Sequence, residues 1–409
     1  MKTKNRQSLP AMVFNRRMLV ALVMGFSCGL PLLLTLSVLQ AWMREAGVDL
    51  TTIGLMSLVG LPYTLKFFWS PLFDRFALPF LGRRRGWLLV AQVSLMVCLV
   101  WLGFSRPAAH PELLALAALA VAFFSASQDI VVDAYRREDL SDRELGLGSS
   151  LYINGYRLGM LLASGGGLIL ADHIPFSMVY LIMALCLLPG VTTTLLTPEP
   201  RVFVFPVSLK AAVVDPLVEY FNRTDALWIL AFILMYKIGD TMAAAMTIPF
   251  YLDIGFSKTQ IGTVVKLFGF WAIAGGTIVG GIAMIRLGIV RSLWIFGILQ
   301  AVSTAGFVLL AAIGPSLALL SAVIVFENLS GGMGTSAYAA YMASITDKRF
   351  TATQYALLTS LMGIPRVLAA APTGYLATRM GWEGFFLFCT LTAIPGLLLL
   401  LRIDGRPRD

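Results

Sequence analysis

Twelve stretches of mostly apolar residues follow one another, at about 18–43, 51–73, 86–105, 111–135, 145–171, 177–196, 226–251, 258–285, 290–313, 316–345, 352–378 and 383–402. Each approaches or exceeds the roughly 20 residues an α-helix needs to cross a hydrocarbon layer. In lipid no water satisfies backbone N–H and C=O groups, so only helices and closed barrels span. The stretches are too long for barrel strands and show no period of two. The expectation is therefore an all-α membrane protein with twelve transmembrane helices. Only 13% of the residues are charged, against about a quarter in soluble domains. Mean hydropathy is +0.82.

The formal net charge is +9, which raises the question of nucleic acid. The distribution answers it. One alternating set of connections, with the termini, carries 22 of the 31 basic residues, among them Arg16, Arg17, Arg83, Arg84, Arg85, Arg136, Arg137 and Arg349. The other set carries Arg44, Arg106, Lys258 and Arg379. Such asymmetry is the positive-inside signature, and it puts both termini in the cytoplasm. The expected partner is the bilayer, with no nucleic acid. The first stretch is too long for a cleaved signal and lacks an A-x-A site, so it reads as the first helix. Cys28, Cys98, Cys186 and Cys389 sit singly in apolar segments, and His110 and His173 in short loops. No metal or disulfide pattern results. No H-E-x-x-H, G-x-S-x-G or Cys–His set is present, so the chain does not read as an enzyme.

The polar connection from Thr197 to Asp225 divides the helices six and six. The expected organisation is a tail 1–17, a bundle 18–196, a linker 197–225, a bundle 226–402 and a tail 403–409. The halves echo each other. "TTIG" at Thr51–Gly54 recurs as "TQIG" at Thr259–Gly262, and Arg157 in the fifth segment corresponds to Arg366 in the eleventh. "DAY" at Asp133–Tyr135 corresponds to "SAY" at Ser336–Tyr338. Two pseudo-symmetric six-helix halves are the major facilitator arrangement. Between the second and third segments, "SPLFDRFALPFLGRRRGW" resembles the facilitator loop motif G-x-x-x-D-R-x-G-R-R. Its leading glycine is Ser70 here and the spacer is longer. Asp74 and Arg75 form its acid–base pair, and Arg83, Arg84 and Arg85 its basic run. They are candidates for tying helix ends together in one conformation, or for plain anchors.

Charge at membrane depth is costly and marks cavities or partners. The bases expected there are Lys66, Arg157, Lys237, Lys266 and Arg366, and the acids are Asp129, Asp133, Asp240 and Glu327. Lys237 and Asp240, spaced i,i+3, can pair. Asp129 and Asp133 share a helix face at i,i+4, which is expected to turn towards a wet cavity rather than lipid. Asp133 reads as the partner of the arginines after it, and Asp129 as a proton carrier, with Glu327 and Asp240 as alternatives. Cargo contacts are expected from the five bases with Gln128, Asn154, Tyr156 and Asn328. Trp42, Tyr63, Tyr338 and Tyr341 are further rings able to stack on sugar, or to pack. "SGGMGTSAY" at Ser330–Tyr338 reads as a flexible turn beside Glu327 and Asn328, or as packing.

"SCGLPLLLTLSVLQAWM", "IGLMSLVGLPYTLKFFWSPLFDRF", "GRRRGWLL", "SASQDIVVDAYRRE", "GYRLGML", "YKIGD", "FENLSGGMGTSAY" and "ATQYALL" resemble the AmpG-type muropeptide permeases of bacteria. The resemblance implies a proton symporter of the inner membrane; alternating access, a monomer and no bound cofactor are the accompanying expectations. Its cargo would be N-acetylglucosamine–anhydro-N-acetylmuramyl peptides, and its import would serve cell-wall recycling and beta-lactamase induction. An exporter of drugs or siderophores, or a carrier of another anionic conjugate such as acetyl-coenzyme A, is the alternative on the same fold.

The charge asymmetry makes a prediction of its own. A reporter enzyme active only outside the cytoplasm, fused to the C-terminus, stays silent, and one active only inside is bright. The opposite pattern would overturn the orientation.

Overall fold

A computed structural model describes residues 15–48, 50–200, 208–257, 260–369 and 372–404. Among these residues nearly all structure is helical, and one isolated bridge joins Leu78 and Gly82. The twelve segments are α1 (Arg16–Glu45), α2 (50–75), α3 (Arg83–Gly103), α4 (Pro111–Asp139), α5 (145–171), α6 (Phe176–Leu196), α7 (Ala226–Asp253), α8 (261–287), α9 (Ile289–Ile313), α10 (Leu317–Ser344), α11 (351–368 with 373–380) and α12 (382–404). Nine helices among the described residues are long and apolar enough to cross a membrane. The expected second and fifth spans are interrupted instead, and the eleventh runs partly outside the described residues.

Those interruptions have local causes. The second segment, expected as one helix over 51–73, is a chain of short α and 3₁₀ pieces. Pro62 and Pro71 each sit in the first turn of a new piece. Proline lacks the N–H that a helix interior needs, so it restarts a helix better than it continues one. In α5 the run Leu162–Gly166 adopts a π-helical turn. Gly381, at φ 68, separates α11 from α12, because a left-handed residue ends an α-helix cheaply only when it lacks a Cβ. The segment α7 breaks at Tyr236–Lys237, and Asp240 lies in the first turn of the helix that resumes at Ile238. Within the expected polar linker, Leu209–Phe221 is helical. The glycines of "SGGMGTSAY" form no flexible turn, because α10 runs unbroken through them.

By proximity the chain forms two units, Met1–Pro216 with Thr346–Ser360, and Leu217–Ile345 with Leu361–Asp409. The first half of α11 thus belongs with the first unit. In that unit α1 and α5 approach through reciprocal glycines. A Cβ on Gly29 would lie 1.9 Å from the Tyr156 carbonyl oxygen, and one on Gly155 2.0 Å from that of Leu22. In the second unit α8 and α10 use the same device. A Cβ on Gly276 would lie 2.1 Å from the Leu329 carbonyl oxygen, and one on Gly332 2.4 Å from that of Ile273. Small residues allow such backbone contact, which is how helices associate where lipid removes the hydrophobic drive.

The turn before α5 closes on Glu144, the residue that precedes the helix. The Ser141 N–H and hydroxyl donate to Glu144 Oε2 at 3.1 and 2.7 Å. The same carboxylate accepts from Arg17 and Asn15 at the start of α1, binding the two helix ends together. Burial alone would raise the Glu144 carboxyl. The Ser141 donors and the Arg17 guanidinium outweigh it and hold the group below the usual glutamate range.

The α1–α5 crossing predicts the effect of one added side chain. Gly29→Leu forces the backbones apart and costs about 1–3 kcal/mol or more, read as a lower melting temperature of the purified protein. Gly47→Ala, with open space around its Cβ but a φ of +81, tests the separate cost of backbone strain and moves the melting temperature less.

Candidate functional site

The facilitator-like loop ends in a buried ionic knot inside the first unit. Arg84 is fully buried at the start of α3. Its guanidinium meets Asp74 Oδ1 at 2.7 Å, both Glu138 oxygens through Nε at 3.0–3.1 Å, and the Phe73 carbonyl at 2.8 Å. It also donates to the Thr351 hydroxyl at 2.8 Å. Arg83 adds a 3.0 Å bond to Glu138. The expected Asp74–Arg75 pair is replaced by Asp74–Arg84, and Arg75 lies over the Phe76 ring. Neighbours in sequence on a helix point apart, whereas the loop returns Arg84 to Asp74.

Asp74 also caps the helix Thr351–Leu368. Its Oδ1 accepts from the Ala352 N–H at 3.2 Å, and its Oδ2 from the Thr353 N–H and hydroxyl at 2.8 and 2.7 Å. The first N–H groups of a helix have no partner within it, and a carboxylate there is also favoured by the helix dipole. Glu199 serves α3 likewise, accepting from the N–H groups of Arg84 and Arg85 at 2.6 and 2.9 Å. The Arg85 side chain bonds the carbonyls of Thr194 and Leu195.

One turn deeper in α4, Asp133 pairs with Arg136 at 3.2 Å. That guanidinium donates to the Tyr355 hydroxyl at 2.8 Å and lies over the Tyr152 ring. Asp129 and Gln128 are buried further in. The stripe expected to face a wet cavity is thus nearly closed to solvent. Gln128 Nε2 donates to Cys28 Sγ at 3.5 Å, while Gln128 Oε1 and Asp129 Oδ1 find no hydrogen-bond partner among the described residues. Buried polar atoms in this position are exceptional and point to a functional or hydrated site. Lys66, buried in the broken helix α2, attracts both Asp129 and Asp133. On α5, Asn154 bonds back to the Ser150 carbonyl, Tyr156 lies beside Tyr152, and Arg157 is half-buried. Trp42 stacks on Phe176, at 5.4 Å between ring centroids, as part of the apolar core.

The second unit has its own cluster. Lys237 Nζ lies 3.0 Å from Asp240 Oδ2. The amide of Gln300, on α9, donates to the same oxygen. Glu327 on α10 interacts electrostatically with both Asp240 and Lys237. Asn328 bonds back to the Ile324 carbonyl. Tyr338 donates to the Ile233 carbonyl and stacks on Tyr236, so it is packing. Arg366 lies in α11 and Lys266 in the π-helical start of α8, and their side chains lie outside the described residues.

Reading the sequence missed Glu138, Glu199, Thr351, Thr353, Tyr355 and Gln300. Glu138 carried a faint signal, an acid beside two arginines at the end of an apolar helix. The others are ordinary polar residues whose partners are distant in sequence. Among the described residues no His/Cys/Asp/Glu group has the arrangement of a metal site.

The sequence profile of the Major Facilitator Superfamily matches residues 18–370 and 240–409. The chain is 45% identical over 388 residues to the anhydromuropeptide permease of Escherichia coli K12, covering 94% of this chain and 79% of that one. It superposes on the human organic anion transporter MFSD10 with a TM-score of 0.67 at 17% identity, over 96% of this chain and 100% of that one. The proton:xylose symporter XylE superposes with a TM-score of 0.69 at 11% identity, over 94% of each chain. At such identities the two structures speak for the fold alone.

Removing Arg84 takes the arginine from the buried Asp74 and leaves Glu138 with Arg83, so Arg84→Met destabilises by about 3–5 kcal/mol. Thermal melting of the purified variant measures it. Arg75→Met, which leaves both carboxylates paired, stays within about 1 kcal/mol of the parent.

Proposed function

The chain belongs to the Major Facilitator Superfamily, and from that premise we propose that it imports anhydromuropeptides across the bacterial inner membrane. The cargo is N-acetylglucosamine–anhydro-N-acetylmuramyl peptide, taken into the cytoplasm with protons as a monomer, without a resident cofactor. The observation that carries this reading is the likeness to the Escherichia coli permease along nearly the whole chain.

The side chains fit the chemistry. The cargo carries several carboxylates, an ammonium and a sugar frame. Lys66, Lys237 and Arg157 offer cationic groups within the helices, and Asn154, Gln128, Asn328 and Tyr156 offer polar or ring contacts. An arginine fork matches a carboxylate in a way a lysine does not. Asp129, with one unpartnered oxygen and Lys66 nearby, is the first choice for carrying the proton. Glu327, beside the Lys237–Asp240 pair, is the second. The knot of Asp74, Arg84 and Glu138 at the start of α11 is suited to a contact that forms and releases during the cycle, while Asp133 holds Arg136.

Membrane vesicles with an imposed pH gradient and labelled anhydromuropeptide test this. For one proton per cargo, one pH unit drives about tenfold accumulation. Asp129→Asn abolishes the accumulation yet retains exchange of internal for external cargo. Arg157→Gln lowers uptake, and Arg157→Lys does not restore it fully. No uptake above empty vesicles by the parent protein removes the cargo reading. Undiminished accumulation by Asp129→Asn moves the proton to Glu327, where Glu327→Gln is the matching test.

A further inference from the structure

We propose that Gln300 is a positioning residue for the Lys237–Asp240 pair, and that Gly334 provides the room it needs. The proposal rests on the transporter reading above. Gln300 lies in α9, is 4% exposed, and sends its amide N–H to Asp240 Oδ2 on a different helix. Lys237 Nζ meets that same oxygen at 3.0 Å. Two donors, one from α7 and one from α9, thus meet on one oxygen and restrict how the carboxylate can turn. Both Lys237 and Asp240 keep about a fifth of their side-chain surface open. The pair is therefore held by a buried amide while remaining reachable.

A long amide fits inside this bundle because a neighbour gives way. A Cβ on Gly334 would stand 2.0 Å from Gln300 Oε1, and one on Gly331 3.9 Å from its Nε2. These glycines share one face of α10 with Glu327 and Ser330, at i, i+3, i+4 and i+7. Ser330 donates to Ser303, one turn along α9, at 2.8 Å. The α9–α10 contact is thus polar at Ser303–Ser330 and stripped of side chain where Gln300 passes. A buried amide without a partner would cost stability, and a leucine would fill the same volume without that cost.

The other unit contains a built-in control. Gln92 lies in α3, 208 residues before Gln300, in the register that also relates Thr51 to Thr259. It too is fully buried. Its Oε1 accepts from the Thr194 hydroxyl at 2.8 Å, and its Nε2 has no hydrogen-bond partner among the described residues. The repeat thus has a buried glutamine in both units, but only Gln300 ends on a carboxylate–ammonium pair.

The experiment compares uptake kinetics and melting temperature for Gln300→Leu, Gly334→Ala, Gln300→Ala, the double variant Gln300→Ala/Gly334→Ala, and Gln92→Leu. Labelled anhydromuropeptide and parent vesicles serve as reference. Gln300→Leu is expected to lower the maximal uptake rate per folded molecule about tenfold, the scale of one lost hydrogen bond to a charged group. Apparent KM and rate then change by different factors. Gly334→Ala gives the same loss alone, but adds none to Gln300→Ala, because the smaller side chain leaves space for the methyl group. Gln92→Leu alters melting temperature without changing the rate per folded molecule. Parental rates in Gln300→Leu overturn the proposal. So does a rate loss matched by a loss of folded protein, or an equal Gly334→Ala defect in both backgrounds. If the parent itself fails to take up the cargo, it is the transport reading that falls; the Gly334→Ala/Gln300→Ala cycle in melting temperature still tests the packing.

Discussion

A hydrocarbon solvent offers no partner to a charge or to an open backbone group, and most of this structure follows from that. Arg84 is fully buried and is bonded by Asp74, Glu138, Thr351 and the Phe73 carbonyl. Arg136 has Asp133, Ser149 and Tyr355. Lys237 has Asp240. Free helix ends obey the same rule. Asp74 takes the first N–H groups of Thr351–Leu368, and Glu199 those of α3. Each such charge is costly to bury and costlier to leave unpaired. Networks of this kind therefore select one arrangement of helix ends more than they add stability.

Where no charge is involved, helices meet through the absence of side chains. Gly29 and Gly155 bring α1 and α5 into backbone contact, and Gly276 and Gly332 do so for α8 and α10. The two units thus use one device on different pairs of helices. Broken helices supply the remaining variety. The prolines of α2 restart the helix and carry Lys66 towards Asp129, and the break at Tyr236–Lys237 sets Asp240 in a first turn beside Lys237. A freed backbone group is tolerable there because neighbouring protein surrounds it.

The halves repeat their scaffold more faithfully than their chemistry. Gln92 and Gln300 hold the same register, yet one ends on Thr194 and the other on Asp240. Asp133 corresponds to Ser336, whose hydroxyl donates to the Met333 carbonyl of its own helix. A duplicated bundle needs both copies to pack, but it needs each binding or proton-carrying group only once. Asymmetric substitution at symmetric positions is the expected trace of that difference.

Length and apolarity of the segments were enough to determine a helical membrane protein, because the 20-residue requirement is a property of the bilayer and of helix rise. The rarity of charge in those segments likewise marked Asp129, Asp133, Lys66, Lys237, Asp240 and Glu327, since a charge in lipid is legible one residue at a time. Partnership was not legible. Spacing along a helix found Lys237–Asp240 and Asp133–Arg136, whose members lie three apart. It misassigned Asp74 to Arg75, and it missed Glu138, Thr351, Thr353 and Gln300. Those contacts join residues from ten to 279 positions apart, and their members are polar residues of no distinctive pattern. Which glycines are hinges and which are contact points also depended on the neighbour. The run at Ser330–Tyr338 is unbroken helix, and its glycines are where Gln300, Ile273 and Thr277 approach it. Local sequence reports what a residue costs in a given solvent; only the packed chain decides who meets that cost.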